Sequence, residues 1–266
     1  MMGATANLDA YFRSMAEEGL FRSERNLRFY QNGLFRGIDF AGKDVLDVGA
    51  GTGLNGFYAA CGGARRVICL EPAANGSTAG VQGKFQQLKR RLGTANIQME
   101  PDYFQSFDFT GLSFDIILLH NSINHLDEPA CVDLLRSRQA LYRYRKIFDC
   151  LAAIARPGAK LIVCDCSRYN LFALLGTRNP FMPTIEWEKH QSPEVWARLL
   201  EEAGFENPKI RWSSFNRLGT PGRWLLGNKP MAWMLKSHFW LTMDKRRTPP
   251  AEAREGRRAE GSRPIH

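Results

Sequence analysis

The chain has 266 residues, of which 44% are hydrophobic and 11% aromatic, enough for the core of one large α/β domain with a modest cap and a tail. No stretch approaches the roughly 20 apolar residues that span a bilayer, and residues 1–13 lack the basic start and apolar run of a secretory signal. These features argue against an integral membrane or secreted protein, and we expect a cytoplasmic one.

Nearly half of the formal net charge of +9 belongs to the last residues of the chain. Residues 245–266 hold seven Lys or Arg and three Glu, which gives +4 and leaves +5 for the other 244 residues. That remainder is ordinary for a domain, so a nucleic-acid partner is not expected. The tail lacks apolar periodicity, and we expect it to be disordered and solvated.

The six cysteines indicate a reduced compartment rather than a metal site. None stands in a Cys-x-x-Cys motif and no histidine cluster has metal-ligand spacing, so we expect no bound metal. Cys164 and Cys166 alternate along a predicted strand, where both should pack on one face as small apolar residues.

Apolar spacing predicts alternating helices and strands through most of the chain. Two short helices are expected within residues 8–36. The predicted strands are Lys43–Val48, Arg66–Leu70, Asn96–Met99, Phe114–Leu119, Lys160–Asp165 and one starting at Lys209–Trp212, and the predicted helices are Gly53–Cys61, Ser77–Leu92, Cys131–Ala155 and Ser192–Ala203. This order predicts a doubly wound, Rossmann-like α/β fold with a mostly parallel sheet of about seven strands.

The same pattern divides the chain into three parts. We predict an N-terminal helical cover (1–36), a main domain (37–244) that contains an insertion after strand 5 (about 166–191), and the basic tail (245–266). In such sheets, ligands bind outside the carboxyl ends of the strands, at the point where the strand order reverses.

The turn after the first strand is rich in glycine, with Gly49, Gly51 and Gly53 in succession. Glycines here let a ligand approach the backbone closely. Glu71, twenty residues past Gly51, ends the second strand, where a carboxylate can bind both ribose hydroxyls of a nucleoside. The turn and the acid together predict a nucleoside-binding site.

Two residues distinguish this turn from a dinucleotide-binding loop. A dinucleotide fingerprint places its third glycine three residues after Gly51, where this chain has Leu54. Asp47, at the end of a buried strand, would repel a pyrophosphate and suits a ligand that carries an ammonium group instead.

Five segments in order resemble the class I S-adenosylmethionine (SAM)-dependent methyltransferases, in particular the compact domain of the ubiquinone/menaquinone-biosynthesis type. They are Val45–Gly53, Val67–Pro72, Ser113–Leu118, Arg156–Leu161 and Ser192–Phe205. The resemblance implies SAM as cofactor and methyl donor. It assigns SAM binding to Asp47, Gly49, Ala50, Gly51, Gly53, Glu71, Pro72, Tyr103, Phe104, His120 and Asn121.

Methyl transfer depends on alignment and exclusion of water, and needs a general base only when the acceptor arrives protonated. The candidate bases, in order of preference by position, are His120, His190 and His125. His120 ends strand 4 and could also serve only to shape the SAM pocket, and His125 could be a structural residue.

The expected acceptor is a small or medium-sized molecule that is methylated on an O or N atom. The insertion and the N-terminal cover supply polar and aromatic residues for its pocket, and the candidates are Arg168, Tyr169, Asn170, Trp187 and Tyr30. Trp187 could instead pack within the insertion itself. A non-catalytic SAM-binding module is the alternative from another class.

Aromatic and apolar residues from Trp224 to Met243, followed by three basic residues, form the least expected segment of the chain. We interpret it first as a helix that closes a hydrophobic pocket. It also fits an amphipathic helix on a membrane surface, which would make the protein a peripheral membrane methyltransferase with a lipid or lipid-linked substrate. The sequence does not predict an oligomeric state.

Overall fold

The protein is built around one mixed sheet with helices on both faces. The structure is a computed structural model that describes residues 4–73, 80–213 and 215–247. The strands are β1 (Asp44–Val48), β2 (Arg66–Leu70), β3 (Ile97–Glu100), β4 (Phe114–His120), β5 (Ala155–Cys166), β6 (Phe205–Trp212) and β7 (His238–Lys245). The helices are α1 (Ala4–Glu17), α2 (Glu24–Leu34), α3 (Leu54–Cys61), α4 (Val81–Leu92), α5 (Glu128–Val132), α6 (Arg138–Ile154), α7 (Leu171–Leu174), α8 (Pro193–Glu202), α9 (Gly219–Leu226) and α10 (Lys229–Met234).

The strand order is β3-β2-β1-β4-β5-β7-β6. From β1 the chain first adds strands on one side, to β3, and then continues on the other side with β4, so the order of the strands reverses between β1 and β4. From β3 to β5 all neighbouring strands are parallel, whereas β7 is antiparallel to both β5 and β6. The chain winds outward in both directions from the β1–β4 pair, so the crevice above their carboxyl ends is the expected ligand site. The predicted doubly wound, mostly parallel fold is confirmed.

The sheet is buried on both faces, which explains why its central strands are almost continuously apolar. Along β1, Leu46 and Val48 pack in one core with α6 and α8, whereas Val45 packs in the other with α1, α2 and α3. The N-terminal helices α1 and α2 therefore pack on one face of the sheet.

Two arginines fasten α2 to the rest of the protein. Arg211 donates hydrogen bonds to the carbonyl oxygens of Gly33 and Leu34, and Arg223 donates one to the carbonyl oxygen of Phe29. Cations at a helix carboxyl end are favourable because they complement its dipole and its unpaired carbonyls. This contact fixes the position of Tyr30, which belongs to the same helix.

The single helix predicted over Cys131–Ala155 is wrong, because the chain forms two helices there. Asp127 caps α5 by accepting a hydrogen bond from the backbone of Ala130, and Ser137 caps α6 through Ala140. A side chain that accepts a hydrogen bond from the backbone N–H three residues later is typical of the first position of a helix. Ser137 therefore marks an interruption that apolar spacing alone did not reveal.

The helix that we expected from Trp224 to Met243 is also wrong. Only its first half is helical, in α9 and α10, and from His238 the chain is β7, inserted between β5 and β6. Phe239, Trp240 and Leu241 are core residues of that strand. An apolar run buried on both faces of a sheet has no clear period of two, so its spacing did not distinguish strand from helix.

Two further expectations extend outside the described residues. Helix α4 begins at Val81, and residues 77–79 of the predicted helix are not described. The expected tail begins at residue 245, but Lys245 is the last residue of β7 and residues 248–266 are not described.

An ion cluster at the amino ends of the strands gives a stability prediction. Asp44 is buried and accepts hydrogen bonds from Arg65, Arg66 and Arg156; Arg65, then Arg156, keep its pKa low, at about 2. Because folding lowers this pKa, the ionised Asp44 contributes to the free energy of unfolding above about pH 4, and this contribution is lost as the pH falls towards 2.

We therefore expect Asp44→Asn to lower the free energy of unfolding at pH 7 by about 1 kcal/mol, since water screens part of the attraction to exposed arginines. Urea unfolding at pH 7 and pH 3 measures the free energy of unfolding. The difference in this free energy between the variant and the wild type should be smaller at pH 3. Asp9→Asn, which breaks an exposed ion pair with Arg28, is the control and should have a smaller effect. An equal effect of the two variants at pH 7 would contradict the prediction.

Candidate functional site

A cavity of about 460 Å³ opens above the carboxyl ends of β1, β2 and β4. Seven predicted SAM-binding residues line it, namely Gly49, Gly51, Glu71, Pro72, Tyr103, Phe104 and Asn121. We call this space the donor cavity. It lies at the reversal of strand order, where ligand binding is expected for this topology.

The glycine-rich turn is held against the end of β2 by three backbone amides. Gly49 and Ala50 both donate to the carbonyl oxygen of Leu70, at 2.8 and 3.1 Å. Gly51 donates to Oε2 of Glu71, at 2.8 Å. The Glu71 carboxylate is therefore fixed at the cavity wall, with its other oxygen available to a ligand.

Two glycines of the turn serve different purposes. Gly49 has φ +69°, and a Cβ there would lie 2.5 Å from Cβ of Ser122, so only glycine lets the β4 loop approach so closely. A Cβ on Gly51 would meet no protein atom within 4 Å, which leaves the space beside its backbone open to a ligand. The turn therefore fits a ligand that lies flat against Gly51.

Four predicted SAM-binding residues lie outside the donor cavity wall. Ala50 is turned away from it, and Gly53 packs against Phe85 and Phe57, because a Cβ at Gly53 would lie 2.8 Å from the Phe85 ring. His120 faces a second cavity. Gly53 therefore allows α3 and α4 to pack closely together, a role that the spacing of the glycines did not indicate.

Asp47, the fourth of these residues, lies beneath the turn. Its side chain is 1% exposed and faces the first turn of α3, where a Cβ at Gly56 would lie 3.4 Å from Oδ2. Neither carboxylate oxygen has a protein hydrogen-bond partner. Burial raises the pKa of Asp47 to about 7, and the charge of Glu71 contributes to the rise. A buried carboxyl group with a raised pKa and no hydrogen-bond partner is typical of a functional site.

Sequence reasoning missed a further part of the donor cavity wall. Its other residues are Val48, Leu70, Val81, Asp102, Gln105, Ser122 and Leu126, together with His125, which was predicted only as a candidate base. Val48 and Leu70 flank assigned positions, and position after a strand could have indicated Ser122. Gln105 is held by a hydrogen bond to the carbonyl oxygen of Leu126, across a long stretch of chain that no spacing rule connects.

A second cavity of about 400 Å³ adjoins the first, and Asn121 and His125 line both. Asn121 directly follows β4 in the left-handed region, at φ +53°, a conformation that asparagine tolerates better than most residues. We call this second space the acceptor cavity. The cover contributes Tyr30 to its wall, β4 contributes His120, and the insertion contributes His190.

A buried Asp–His pair forms one side of the acceptor cavity. His190 Nδ1 lies 3.0 Å from Oδ1 of Asp165, which is 1% exposed at the end of β5. Because a carboxylate only accepts, Nδ1 carries the proton, and in the neutral ring Nε2 of His190 is the nitrogen that can accept one. Sequence analysis proposed His190 but not Asp165, although its position at the end of a strand was a usable indication.

His120 belongs to a different network. Its Nε2 lies 2.5 Å from the hydroxyl of Tyr30, which also lies 3.3 Å from Sγ of Cys164. Burial lowers the pKa of His120 to about 4 and raises that of Tyr30 well above its usual value. The phenol therefore donates to a neutral imidazole, and the basic nitrogen of His120 is already occupied.

His125 is more exposed and stands where the two cavities meet. Its Nδ1 lies 3.0 Å from Oε2 of Glu128, one turn further along the chain. Glu128 also pairs with Lys189 at 2.7 Å. This contact joins the β4 loop to the insertion beside the acceptor cavity.

Four of the five residues predicted to bind the acceptor lie off the cavity wall, and Tyr30 alone lines it. Asn170 is buried and donates to the carbonyl oxygens of Trp233 and Leu235, while Tyr169 is exposed. Arg168 contacts Gln191, and Trp187 also lies outside the lining. Because β7 starts beside the end of β5, the residues that follow β5 bind the backbone near β7 instead of the cavity.

Comparisons with known proteins agree with this geometry. The family model described as a methyltransferase domain matches residues 20–210, more than two thirds of the chain. None of the curated proteins matches the sequence. The ubiquinone/menaquinone type stays a prediction.

Solved structures share the fold at low sequence identity. A protein from Listeria monocytogenes assigned as a SAM-dependent methyltransferase is 12% identical with a TM-score of 0.55, over 82% of this chain and 99% of that one. The N-methyltransferase NodS from Bradyrhizobium japonicum WM9, in complex with S-adenosyl-L-homocysteine, is 13% identical with a TM-score of 0.50, over 84% and 86%. The [4+2]-cyclase SpnF is 16% identical with a TM-score of 0.54, over 85% and 82%.

These neighbours establish the fold, whereas the family match rests on the sequence itself. The glycine turn, the acid after β2 and the strand order all occur where a methyltransferase domain requires them. The chain belongs to the methyltransferase domain family and is a class I SAM-dependent methyltransferase, with SAM as its methyl donor.

Proposed function

We propose that the protein transfers the methyl group of SAM to an O or N atom of a small or medium-sized molecule bound in the acceptor cavity. The observation that carries the proposal is the shared wall at Asn121 and His125. Two adjoining cavities at one edge of the sheet allow a donor and an acceptor to meet in line, which is the main requirement of a displacement at a methyl group.

The residues of the donor cavity suit the parts of SAM. Glu71 would accept hydrogen bonds from the ribose hydroxyls, and the backbone at Gly51 would lie along the methionine portion. Tyr103 and Phe104 would flank the base. Bound SAM supplies an electrophilic methyl group on a sulfonium, so the protein need not activate the donor.

The Asp165–His190 pair indicates what kind of acceptor is used. Asp165 fixes the tautomer in which Nε2 of His190 can take a proton. A base of this kind helps an acceptor that arrives protonated, such as a hydroxyl or an ammonium group. His190 is therefore preferred over His120, whose Nε2 already accepts from Tyr30.

The acceptor can be identified by supplying labelled SAM and the purified protein to a lysate of the source organism, followed by mass spectrometry of the labelled product. A small molecule that carries the label on O or N supports the proposal. SAM binding without any labelled product would contradict it and favour a non-catalytic SAM-binding module.

We expect Glu71→Gln to weaken SAM binding at least about tenfold, since a hydrogen bond to a charged group contributes roughly 1.5–3 kcal/mol. Calorimetric titration with SAM measures the change. Glu100→Gln is the matched control, because Glu100 ends the neighbouring strand β3 outside the donor cavity. Similar losses in both variants would contradict the assignment of Glu71.

Asp47→Asn should separate stability from binding. An acid whose pKa is raised to about 7 by folding destabilises the protein progressively as the pH rises from about 4 to 7. Over that range the wild type should lose stability relative to the variant, which cannot ionise. Urea unfolding at several pH values measures this.

The same variant should bind SAM at least about tenfold more weakly at pH 7.5, because a charge in a dry site acts on a nearby cation beyond contact distance. Asp39→Asn, at an exposed carboxylate, is the control for both measurements. Unchanged SAM affinity in Asp47→Asn would remove Asp47 from the donor site.

His190→Gln and Asp165→Asn should each lower the rate of methyl transfer by about 10²-fold or more, the usual contribution of a general base. SAM affinity should stay within about twofold of wild type, since neither residue lines the donor cavity. Single-turnover transfer to the identified acceptor measures the rate. If only SAM affinity falls, the pair is structural and not catalytic.

A further inference from the structure

Large apolar side chains are exposed on one part of the described surface. Nine of the twelve such residues lie within residues 169–181 and 218–234. They are Tyr169, Leu174, Leu175, Phe181, Leu218, Trp224, Leu225, Trp233 and Met234. The side chain of Trp224 is 83% exposed and that of Leu174 is 76% exposed. Monomeric soluble proteins rarely concentrate apolar surface in this way unless it is an interaction site.

These side chains belong to one connected scaffold. Asn170 and Asn179, each 1% exposed, both donate to the carbonyl oxygen of Leu235 and so tie α7 to the end of α10. The Phe181 ring packs against Phe215, at 5.3 Å between centroids, and connects α7 to the segment that leads into α9. Buried amide hydrogen bonds hold α7 to α10, and the Phe181–Phe215 contact joins them to the segment before α9. We call the exposed surface of α7, α9 and α10 the apolar basic face.

The exposed basic residues of this face are Arg178, Arg217 and Lys229, whereas Arg168, Arg223 and Lys236 are partly buried. Residues 167–185 and 215–237 contain six Lys or Arg and no Asp or Glu. Arg217 and Arg178 are exposed among the apolar side chains, whereas Lys229 pairs with Glu194 of a neighbouring helix. Aromatic and aliphatic side chains interspersed with basic ones match a bilayer surface with anionic headgroups, which attract each basic residue near them.

We propose that the apolar basic face docks on an anionic lipid bilayer. Within the described ranges, no helix has the length and apolarity to cross a bilayer, so the contact would be peripheral. Exposed Trp224 and Leu225 would enter the boundary between headgroups and acyl chains, and Arg217 would contact the headgroups.

Docking would also determine what reaches the acceptor cavity. Met182, Ile185, Asn216 and Lys236, from the segments that carry the apolar basic face, line that cavity. Given the proposed function, an amphiphilic acceptor could pass from the bilayer into the cavity without crossing water. This consequence rests on the proposed function, whereas docking itself does not.

Flotation of the full chain with lipid vesicles tests the docking. The vesicles are phosphatidylcholine alone, or phosphatidylcholine and phosphatidylglycerol at about 7:3. We expect the protein to float with the anionic vesicles and much less with the neutral ones. The double variant Trp224→Ser with Leu225→Ser should bind the anionic vesicles at least tenfold more weakly, and Arg217→Glu should also weaken binding.

The matched control is the double variant Leu135→Ser with Tyr142→Ser, which removes exposed apolar side chains outside the apolar basic face. It should float as the wild type does. Thermal unfolding followed by circular dichroism and calorimetric SAM titration show whether each variant is folded with an intact donor cavity. These two readouts also separate the proposals, because flotation can fail while SAM binding holds, and the reverse.

Three results would overturn the docking proposal. The first is no flotation of the wild type with either vesicle type. The second is equal flotation of the wild type and the Trp224/Leu225 variant, since another surface would then carry the binding. The third is a change from dimer to monomer in the Trp224/Leu225 variant, seen by light scattering without any change in flotation, which would make the face a contact between two copies of the chain.

Discussion

The donor site depends on the hydrogen bonds between the glycine turn and the end of β2. The register of the β1–β2 pair places Val48 beside Leu70, so the next residues of both strands leave the sheet together. Gly49 and Ala50 can then share the carbonyl oxygen of Leu70, and Gly51 can reach Glu71. A slip of one residue would turn the side chain of Glu71 to the other face of the sheet. The nucleoside site is therefore a consequence of strand pairing, and the core on both faces of the sheet stabilises it.

This dependence explains which parts of the protein the sequence could predict. The turn, its strands and Glu71 are close in sequence, and glycine conformation and strand burial are local properties. The acceptor cavity is different, because Tyr30, Asp165 and His190 meet there only after β5 and the insertion have taken their places. The residues after β5 lie off this cavity for the same reason: β7 was expected to be a helix, and its antiparallel pairing with β5 brings Asn170 against the carbonyl oxygens that precede β7.

The two cavities also differ in what builds them. The donor side uses the backbone of the glycine turn and the Glu71 carboxylate, which lie on two neighbouring strands. The acceptor side uses side chains from the cover, the insertion and β7. The fold shared with the [4+2]-cyclase SpnF fits this division, because a fold does not determine chemistry by itself. Under the proposed function, the residues around the second cavity, and not the glycine turn, would select the acceptor.

Among the described residues, four of the nine buried side-chain polar atoms without a hydrogen-bond partner lie beside the two cavities. Asp47 contributes two such oxygens, Asp165 contributes Oδ2, and Asn124, on the acceptor cavity wall, contributes Oδ1. Each unpaired group costs about 1–3 kcal/mol relative to a satisfied one, so a sequence under no functional constraint would replace them with apolar residues. Under the proposed function, the groups beside the two cavities would bind ligand or transfer a proton, and the fold would tolerate the cost there for that reason. The ion cluster around Asp44, at the opposite edge of the sheet, has its carboxylate satisfied and serves stability alone.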